Sequence, residues 1–303
     1  MNRTGGRSQP RPLRDQRILI TGAARGIGAA LAERLAASGA RLALIGLEPE
    51  RLRAVAERCS EDTFVAVCDV SDGEQVTAAI DGAAATLGGL DVVAANAGIA
   101  TAGPLRSQDL RSWERTIEIN LLGVMHTDRA AAQHLERSRG YLLNIASTAA
   151  VLRGPGMSAY CAAKAGVEAL SDCLRIEMQP LGVRVGVAYF LFLDTDMVRD
   201  ADREMPLFEQ ARTELPRILG RTYPLAPAID ELVAGIASRR RRIAYPRWVL
   251  KSLPLRQLFA SAWLERQASK GVADSHADYQ RLLAQRGAPA VSATERTRRL
   301  SGL

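Results

Sequence analysis

Short apolar runs alternate with helix-length segments along most of this 303-residue chain, and that alternation admits few architectures. RILIT (17–21), RLALIG (41–46), FVAV (64–67), DVVAA (91–95), YLLNIA (141–146), VRVGVAYF (183–190) and RRIAY (241–245) are apolar and partly β-branched. Runs of this kind read as strands buried on both faces. Between them, Ile27, Leu31 and Leu35 recur at spacing four up to Gly39, a helix runs through Leu52 and Val55, and further helical patterns lie near 72–87, 107–136 and 158–179. Strands separated by helices of this length call for right-handed βαβ crossovers, hence an α/β fold with a doubly wound parallel sheet and helices on both faces. One domain covers about 17–246, preceded by a leader (1–16) and followed by an extension (247–303).

The first strand runs straight into TGAARGIG (21–28) and then a helix. Gly22, Gly26 and Gly28 allow a tight turn, a close approach to a pyrophosphate, and close packing of helix on strand, while the helix N-terminus aims N–H donors at the phosphates. Glycines also occur in strand-to-helix turns for steric reasons alone. Placement on the first strand of an α/β chain favours a dinucleotide. The G-x-x-x-G-x-G spacing differs from G-x-G-x-x-G.

Charge separates the domain from its ends. The net +7 divides into five Arg against one Asp over 1–17, 14 basic against four acidic residues over 239–303, and 21 basic against 28 acidic residues between. A basic chain raises nucleic acid or an anionic surface as partners. The acidic body, the sparse aromatic residues and the lack of a binding motif argue against nucleic acid. Cys59, Cys68, Cys161 and Cys173 show neither a CxxC nor a metal-ligand spacing, and His126, His134 and His276 are scattered, so no metal site is expected. Reduced thiols, a basic N-terminus without an apolar h-region and no run of about 18 apolar residues point to a cytoplasmic protein.

Three further landmarks follow the glycine turn in order: ANAG (95–98), Asn120, and Ser147 with YCAAK (160–164), where Ser147 precedes Tyr160 by thirteen residues and Lys164 follows by four. Together with TGAARGIG they resemble the short-chain dehydrogenase/reductase family over about 17–246. The resemblance implies a Rossmann-type sheet of about seven strands in order 3-2-1-4-5-6-7. It also implies an NAD(P)(H)-dependent interconversion of a secondary alcohol and a ketone, and a homodimer or homotetramer. Tyr160 would be the acid/base, Lys164 its tuner and ribose ligand, Ser147 the group that polarises the substrate oxygen, and Asn120 the anchor of a proton-relay water. Gly22, Arg25, Gly26, Ile27, Gly28, Asp69, Asn96, Ala97, Gly98, Tyr160, Lys164 and Thr195 would contact the cofactor, with Asp69 at the adenine. Asn96 reads as fixing the sheet edge rather than reacting.

The residue types suit this chemistry. A phenol with a reference pKa near 10 is a poor base at neutral pH, and a cation one helical turn away lowers that value. Lys164 is one of three lysines (164, 251 and 270) against 37 arginines, so it stands out in the body of the chain. A compact ammonium can serve a phenol and ribose hydroxyls together, where a planar guanidinium suits the task less well.

Two positions bear on the cofactor. An acid closing the second strand would favour NAD(H). Gly46 occupies that place, with Glu48 two residues on as a possible substitute. Arg25 could reach a 2′-phosphate or be a solvated turn residue, and the former reading tilts the expectation to NADP(H). The chain also departs from the family after the sixth strand, where Phe190 and Leu191 replace the usual Pro-Gly turn ahead of Thr195. Leucine does not readily take a glycine-only backbone, so this loop should follow another path. Met197, Met205, Pro206, Leu207, Phe208 and Leu219 place apolar residues in the expected substrate lid (197–223), where they either meet an apolar or bulky substrate or pack the lid down.

RRRR (239–242) opens the basic end, and Leu255, Leu258, Phe259, Ala262 and Trp263 fall on one helical stripe. That stripe can pack on the domain or on a sister subunit, cover the substrate entrance, or dock on an anionic membrane surface. Two rivals to a soluble enzyme stay open: a cofactor-sensing or scaffold protein without catalysis, and a peripheral membrane reductase. A sensor needs the glycine turn but not the Asn120-Ser147-Tyr160-Lys164 set.

Overall fold

The computed structural model describes residues 10–204 and 215–256, with isolated positions at 208, 212, 261, 262, 266, 269 and 281. Seven parallel strands form one sheet: β1 (Arg17–Thr21), β2 (Arg41–Gly46), β3 (Phe64–Val67), β4 (Val92–Ala95), β5 (Tyr141–Ile145), β6 (Arg184–Phe190) and β7 (Arg242–Tyr245). Their order is β3-β2-β1-β4-β5-β6-β7. The order reverses between β1 and β4, and such a switch point opens a crevice at the carboxyl ends of the strands.

Successive residues of β1 enter different cores, as a sheet covered on both faces requires. Ile18 and Ile20 pack with Leu31 and Leu35 of α1 (Gly26–Ala36) and Leu52 of α2 (Pro49–Cys59). Leu19 packs with Ile80 and Leu87 of α3 (Gly73–Leu87) and Leu135 of α5 (Gly123–Ser138). The Asp72 carboxylate caps α3 by accepting from the backbone N–H groups of Glu74 and Gln75, and Gly88 closes that helix in a left-handed conformation.

The stretch expected as one helix over 107–136 is divided. α4 (Leu110–Ile117) meets α5 through a π-helical turn, Glu118–Leu122, with Asn120 inside it. Asn120 is fully buried; its Nδ2 donates to Ile99 O at 2.8 Å and its Oδ1 accepts from Ile99 N at 3.1 Å. The widened turn seats the side chain against a backbone that needs both bonds, a common use of π turns. α6 (Ser158–Glu177) then carries Tyr160 and Lys164, α7 (Asp196–Glu204) begins the lid region, and α8 (Leu225–Ala237) packs on α1.

The core continues beyond Pro246. Val249 and Leu253 are almost fully buried in the cluster that holds β1 and α1. Arg256 reaches back to the buried Glu168 of α6, its Nη2 2.8 Å from Oε1, where the Tyr189 hydroxyl also donates at 2.7 Å. A chain ended at Pro246 is therefore expected to melt lower by roughly 6–24 °C, given about 1.5–3 kcal/mol for each of the two buried side chains and 2–4 °C per kcal/mol. An unchanged melting temperature would show these contacts to be idle. The remaining stripe residues Leu258, Phe259 and Trp263 lie outside the described residues, as do Met205, Pro206 and Leu207 of the lid. Among the described residues, no helix is long and apolar enough to cross a membrane.

Candidate active site

Every candidate residue of the sequence lies at or beyond the carboxyl ends of β1–β6, around the switch point. The turn after β1 is held by its neighbours. Thr21 Oγ1 accepts from the backbone N–H groups of Asn96 and Ala97 at 3.0 and 3.1 Å. Asn96 Nδ2 donates to Thr21 O at 2.9 Å and Gly22 O at 3.2 Å. These bonds tie the end of β1 to the start of ANAG. Thr21 is not among the residues that sequence reasoning singles out; its one signal is a hydroxyl at the end of a strand, just before a glycine turn.

Two glycines in this turn have no tolerated substitute. Gly22 has φ +65°, and a Cβ there would stand 2.7 Å from Ala97 Cα. A Cβ on Gly28 would stand 2.3 Å from Gly22 O and 2.9 Å from Ala23 Cα. The turn is thereby packed against α1, and no side chain caps the helix at Arg25. Its first amides are left for an anion. A cradle of this shape fits the pyrophosphate of a nicotinamide dinucleotide. Thr195 lies beside it, since a Cβ on Gly26 would meet the Thr195 side chain at 3.7 Å.

Thr195 reaches that place without a glycine turn ahead of it. Among the described residues, the non-glycine positions with positive φ are Asp15, Arg139 and Arg239, so Leu191 is spared that strain. Instead Leu191 N donates to Tyr245 O at 3.3 Å, and Leu193 makes an isolated parallel bridge to Tyr223 just past the end of β6. Phe190 O accepts the Thr148 hydroxyl at 3.0 Å, so the altered loop buttresses the segment that holds Ser147.

At the other side of the crevice the catalytic candidates converge. The Ser147 hydroxyl accepts from Ala149 N at 3.1 Å, reaches Phe190 O at 3.5 Å and lies near enough to Tyr160 to draw its phenol down. Lys164 Nζ lies 5.8 Å from the Tyr160 ring centroid. Nζ donates to Ile145 O at 2.8 Å. Gly98 brings the ANAG loop alongside both Asn120 and Lys164. Burial pushes the Tyr160 phenol up despite the nearby Ser147 hydroxyl, so it holds its proton at neutral pH. Burial pulls the Lys164 ammonium down to about 8, so it is charged at neutral pH and loses its proton in the mildly alkaline range.

The end of the crevice beside β2 and β3 is built from ion pairs. Arg25 Nε donates to Glu48 Oε2 at 2.7 Å, with a second contact from Nη2 to Oε1. Arg51 stands 3.7 Å from the same carboxylate and 3.7 Å from Asp196. Arg25 therefore starts from an ion pair, a pairing that the sequence alone leaves open. Asp69 is engaged as well: its Oδ1 accepts from Ser71 N and Oγ, and its Oδ2 accepts from Arg115 Nη2 at 2.6 Å. Burial raises the Asp69 carboxyl, but the Ser71 bonds and the Arg115 charge outweigh it and hold the group below its ordinary value. Among the described residues, no group of three or more His, Cys, Asp or Glu side chains is arranged to hold a metal ion.

The short chain dehydrogenase family matches residues 16–206, more than half of the chain and all of the elements just described up to the lid. The chain is a short-chain dehydrogenase. Members of the family are oxidoreductases that work between CH–OH and C=O with a nicotinamide dinucleotide, and the cradle around Gly22 and Gly28 agrees with that cofactor class. Among relatives, trans-4-hydroxycyclohexanecarboxylate dehydrogenase of Sinomonas cyclohexanicum is 35% identical over 65% of this chain and 80% of its own. The (-)-trans-carveol dehydrogenase of Rhodococcus erythropolis is 38% identical over 61% of this chain and 73% of its own. The solved structure of levodione reductase superposes with a TM-score of 0.67 at 28% identity, over 77% of this chain and 96% of that one. This short-chain dehydrogenase carries an extension past the matched region, the first part of which joins its core.

Proposed function

We propose that this dehydrogenase interconverts an apolar, ring-bearing secondary alcohol and its ketone, with NADP(H) preferred over NAD(H). The observation that carries the chemistry is the meeting of the Ser147 hydroxyl, the Tyr160 phenol and the Lys164 ammonium at one end of the crevice. When bound, the nicotinamide supplies or accepts the hydride. Tyr160 gives its proton to the carbonyl oxygen in reduction and takes it back in oxidation. Ser147 donates to that oxygen and stabilises the charge that develops on it. Lys164, held by Ile145 O, favours the phenolate, and Asn120 holds the backbone at Ile99 beside the proton path.

The substrate class rests on two supports. Phe192 and Phe208 meet edge to face with centroids 5.7 Å apart in the lid region, where Arg212 also stands over the Phe192 ring. Two of the relatives named above carry a ring alcohol in their names, hydroxycyclohexanecarboxylate and carveol. D-threitol dehydrogenase of Mycolicibacterium smegmatis, 39% identical over 55% of this chain, is instead named for an open-chain polyol. A panel of cyclic and acyclic ketones of matched polarity, together with polyols, tests this reading. A preference of at least tenfold in kcat/KM for the cyclic apolar members is expected, and a preference for small polar ketones or polyols would refute it. We further take the protein to work as a homodimer or homotetramer in the cytoplasm, which light scattering and cell fractionation check.

The cofactor preference rests on Gly46, which puts no acid at the end of β2, and on two guanidinium groups, Arg25 and Arg51, gathered at Glu48. Glu48 opposes it, because a buried carboxylate there repels a 2′-phosphate. Glu48→Gln is therefore expected to raise the NADPH/NADH ratio of kcat/KM at least tenfold, and Arg25→Ala to lower it by a similar factor. A ratio unmoved by Arg25→Ala would rule out the NADP(H) assignment while leaving the acid/base assignment intact.

A further inference from the structure

Behind the catalytic residues lies a small buried polar cluster that the chemistry does not use. Asp128 of α5 is 4% exposed, and Asn144 of β5 and Ser171 of α6 are both at 0%. Asn144 Nδ2 donates to Asp128 Oδ2 at 2.8 Å and to Ser171 Oγ at 3.1 Å, while Ser171 gives its own proton to Val167 O at 2.7 Å. Both amide hydrogens of Asn144 are thus committed. Two buried acceptors are left over, Asp128 Oδ1 and Asn144 Oδ1, and neither has a hydrogen-bond partner.

Two orphaned acceptors on one pair of side chains share a simple remedy. A carboxylate can only accept, whereas a carboxylic acid has one O–H to give. A proton on Asp128 Oδ1 donated to Asn144 Oδ1 satisfies both atoms at once and closes a two-bond acid–amide pair. No compensating cation is needed, and none of the described charged side chains on α3, β4, β5 or α6 acts on Asp128; its titration answers only to burial and to Asn144. An isolated carboxylate in such surroundings is far costlier than a neutral acid. Burial accordingly raises the Asp128 carboxyl to about 8.

We propose that Asp128 is a buried carboxylic acid paired with the Asn144 amide, and that this pair is a positioning device for the catalytic residues. The location supports this role, which rests on the acid/base assignment above. Asn144 lies three residues before Ser147, at the end of the strand that leads to it. Ser171 lies on the helix of Tyr160 and Lys164, and Asp128 lies on the helix that continues from the Asn120 turn. The cluster therefore bonds together the three elements that carry all four groups.

The pair gives a pH dependence of definite sign. The folded value lies above the ordinary carboxyl value, so the stability contributed is fully present below about pH 4 and is lost as pH rises towards about 8. Asp128→Asn is the decisive variant, because an amide reproduces the donor and acceptor pattern of the neutral acid with nothing to ionise. Its melting temperature is expected to rise relative to wild type by roughly 5–10 °C between pH 5 and pH 8, and to stay parallel above that. The ratio of its kcat to that of wild type is expected to grow at least threefold from pH 7 to pH 9. The wild-type infrared spectrum should carry a protonated-carboxyl C=O band that vanishes on going from pH 6.5 to pH 9.5 and is missing from the variant.

A gap in melting temperature that does not change with pH, no such band, or failure of Asp128→Asn to fold would each overturn the acid. A clear acid signature with parallel kcat profiles would overturn the positioning role. Melting and infrared readings do not involve turnover. A failure of the Tyr160 assignment would therefore leave them as expected and be recognised separately.

Discussion

Tyr160→Phe is expected to lower kcat by roughly 10³-fold in both directions while changing nicotinamide cofactor affinity by less than about threefold. The substitution removes one oxygen and keeps the ring. Lys164 stays bonded to Ile145 O and so keeps its place, and the glycine cradle is untouched. What disappears is the proton donor, while Ser147 keeps its contacts to Ala149 N and Phe190 O. Stopped-flow turnover and a fluorescence titration of cofactor on the same preparation separate the two effects. Turnover near the wild-type rate would sink the assigned chemistry. A loss of cofactor binding equal to the loss of rate would mean that Tyr160 serves binding alone.

Gly28→Ala attacks the same site from the cofactor side. The new methyl would overlap Gly22 O at 2.3 Å and press on Asn96 Nδ2 at 2.7 Å, the atom that bonds Thr21 O and Gly22 O. Backbone cannot yield there without opening the turn between β1 and α1. Overpacking of this kind costs about 1–3 kcal/mol, and displaced amides forfeit their aim at the pyrophosphate. Cofactor affinity is expected to fall by about 100-fold or more, with a melting temperature lower by several degrees. Wild-type affinity in a folded Gly28→Ala protein would remove the cradle from the site.

All seven strands are legible in the amino-acid sequence to within a residue, because a parallel sheet buried on both faces writes each strand as a dense apolar run. Ser147, Tyr160 and Lys164 are legible through spacing: one helical turn separates Tyr160 from Lys164, and the fold places Lys164 over the Tyr160 ring. The π turn at Glu118–Leu122 is hidden, since one added residue per turn leaves no mark on apolar periodicity. Arg25 and Glu48 are each visible, but their pairing across 23 positions depends on how the ends of β1 and β2 converge. Asp128 gives no signal at all. A lone acid in a helix ordinarily reads as a solvated residue, and only the fold reveals that Asn144 and Ser171 enclose it.

The most direct measurement of the central assignment follows one deuterium. Secondary alcohols labelled at the carbinol carbon are incubated with the protein and oxidised cofactor, and the reduced cofactor is examined by mass spectrometry and NMR. One deuterium at C4 of the nicotinamide, with one equivalent of ketone formed, is expected for wild type and is expected to fall to background in Tyr160→Phe. Cofactor that binds in the glycine cradle but acquires no deuterium from any cyclic or acyclic member of the panel would contradict it.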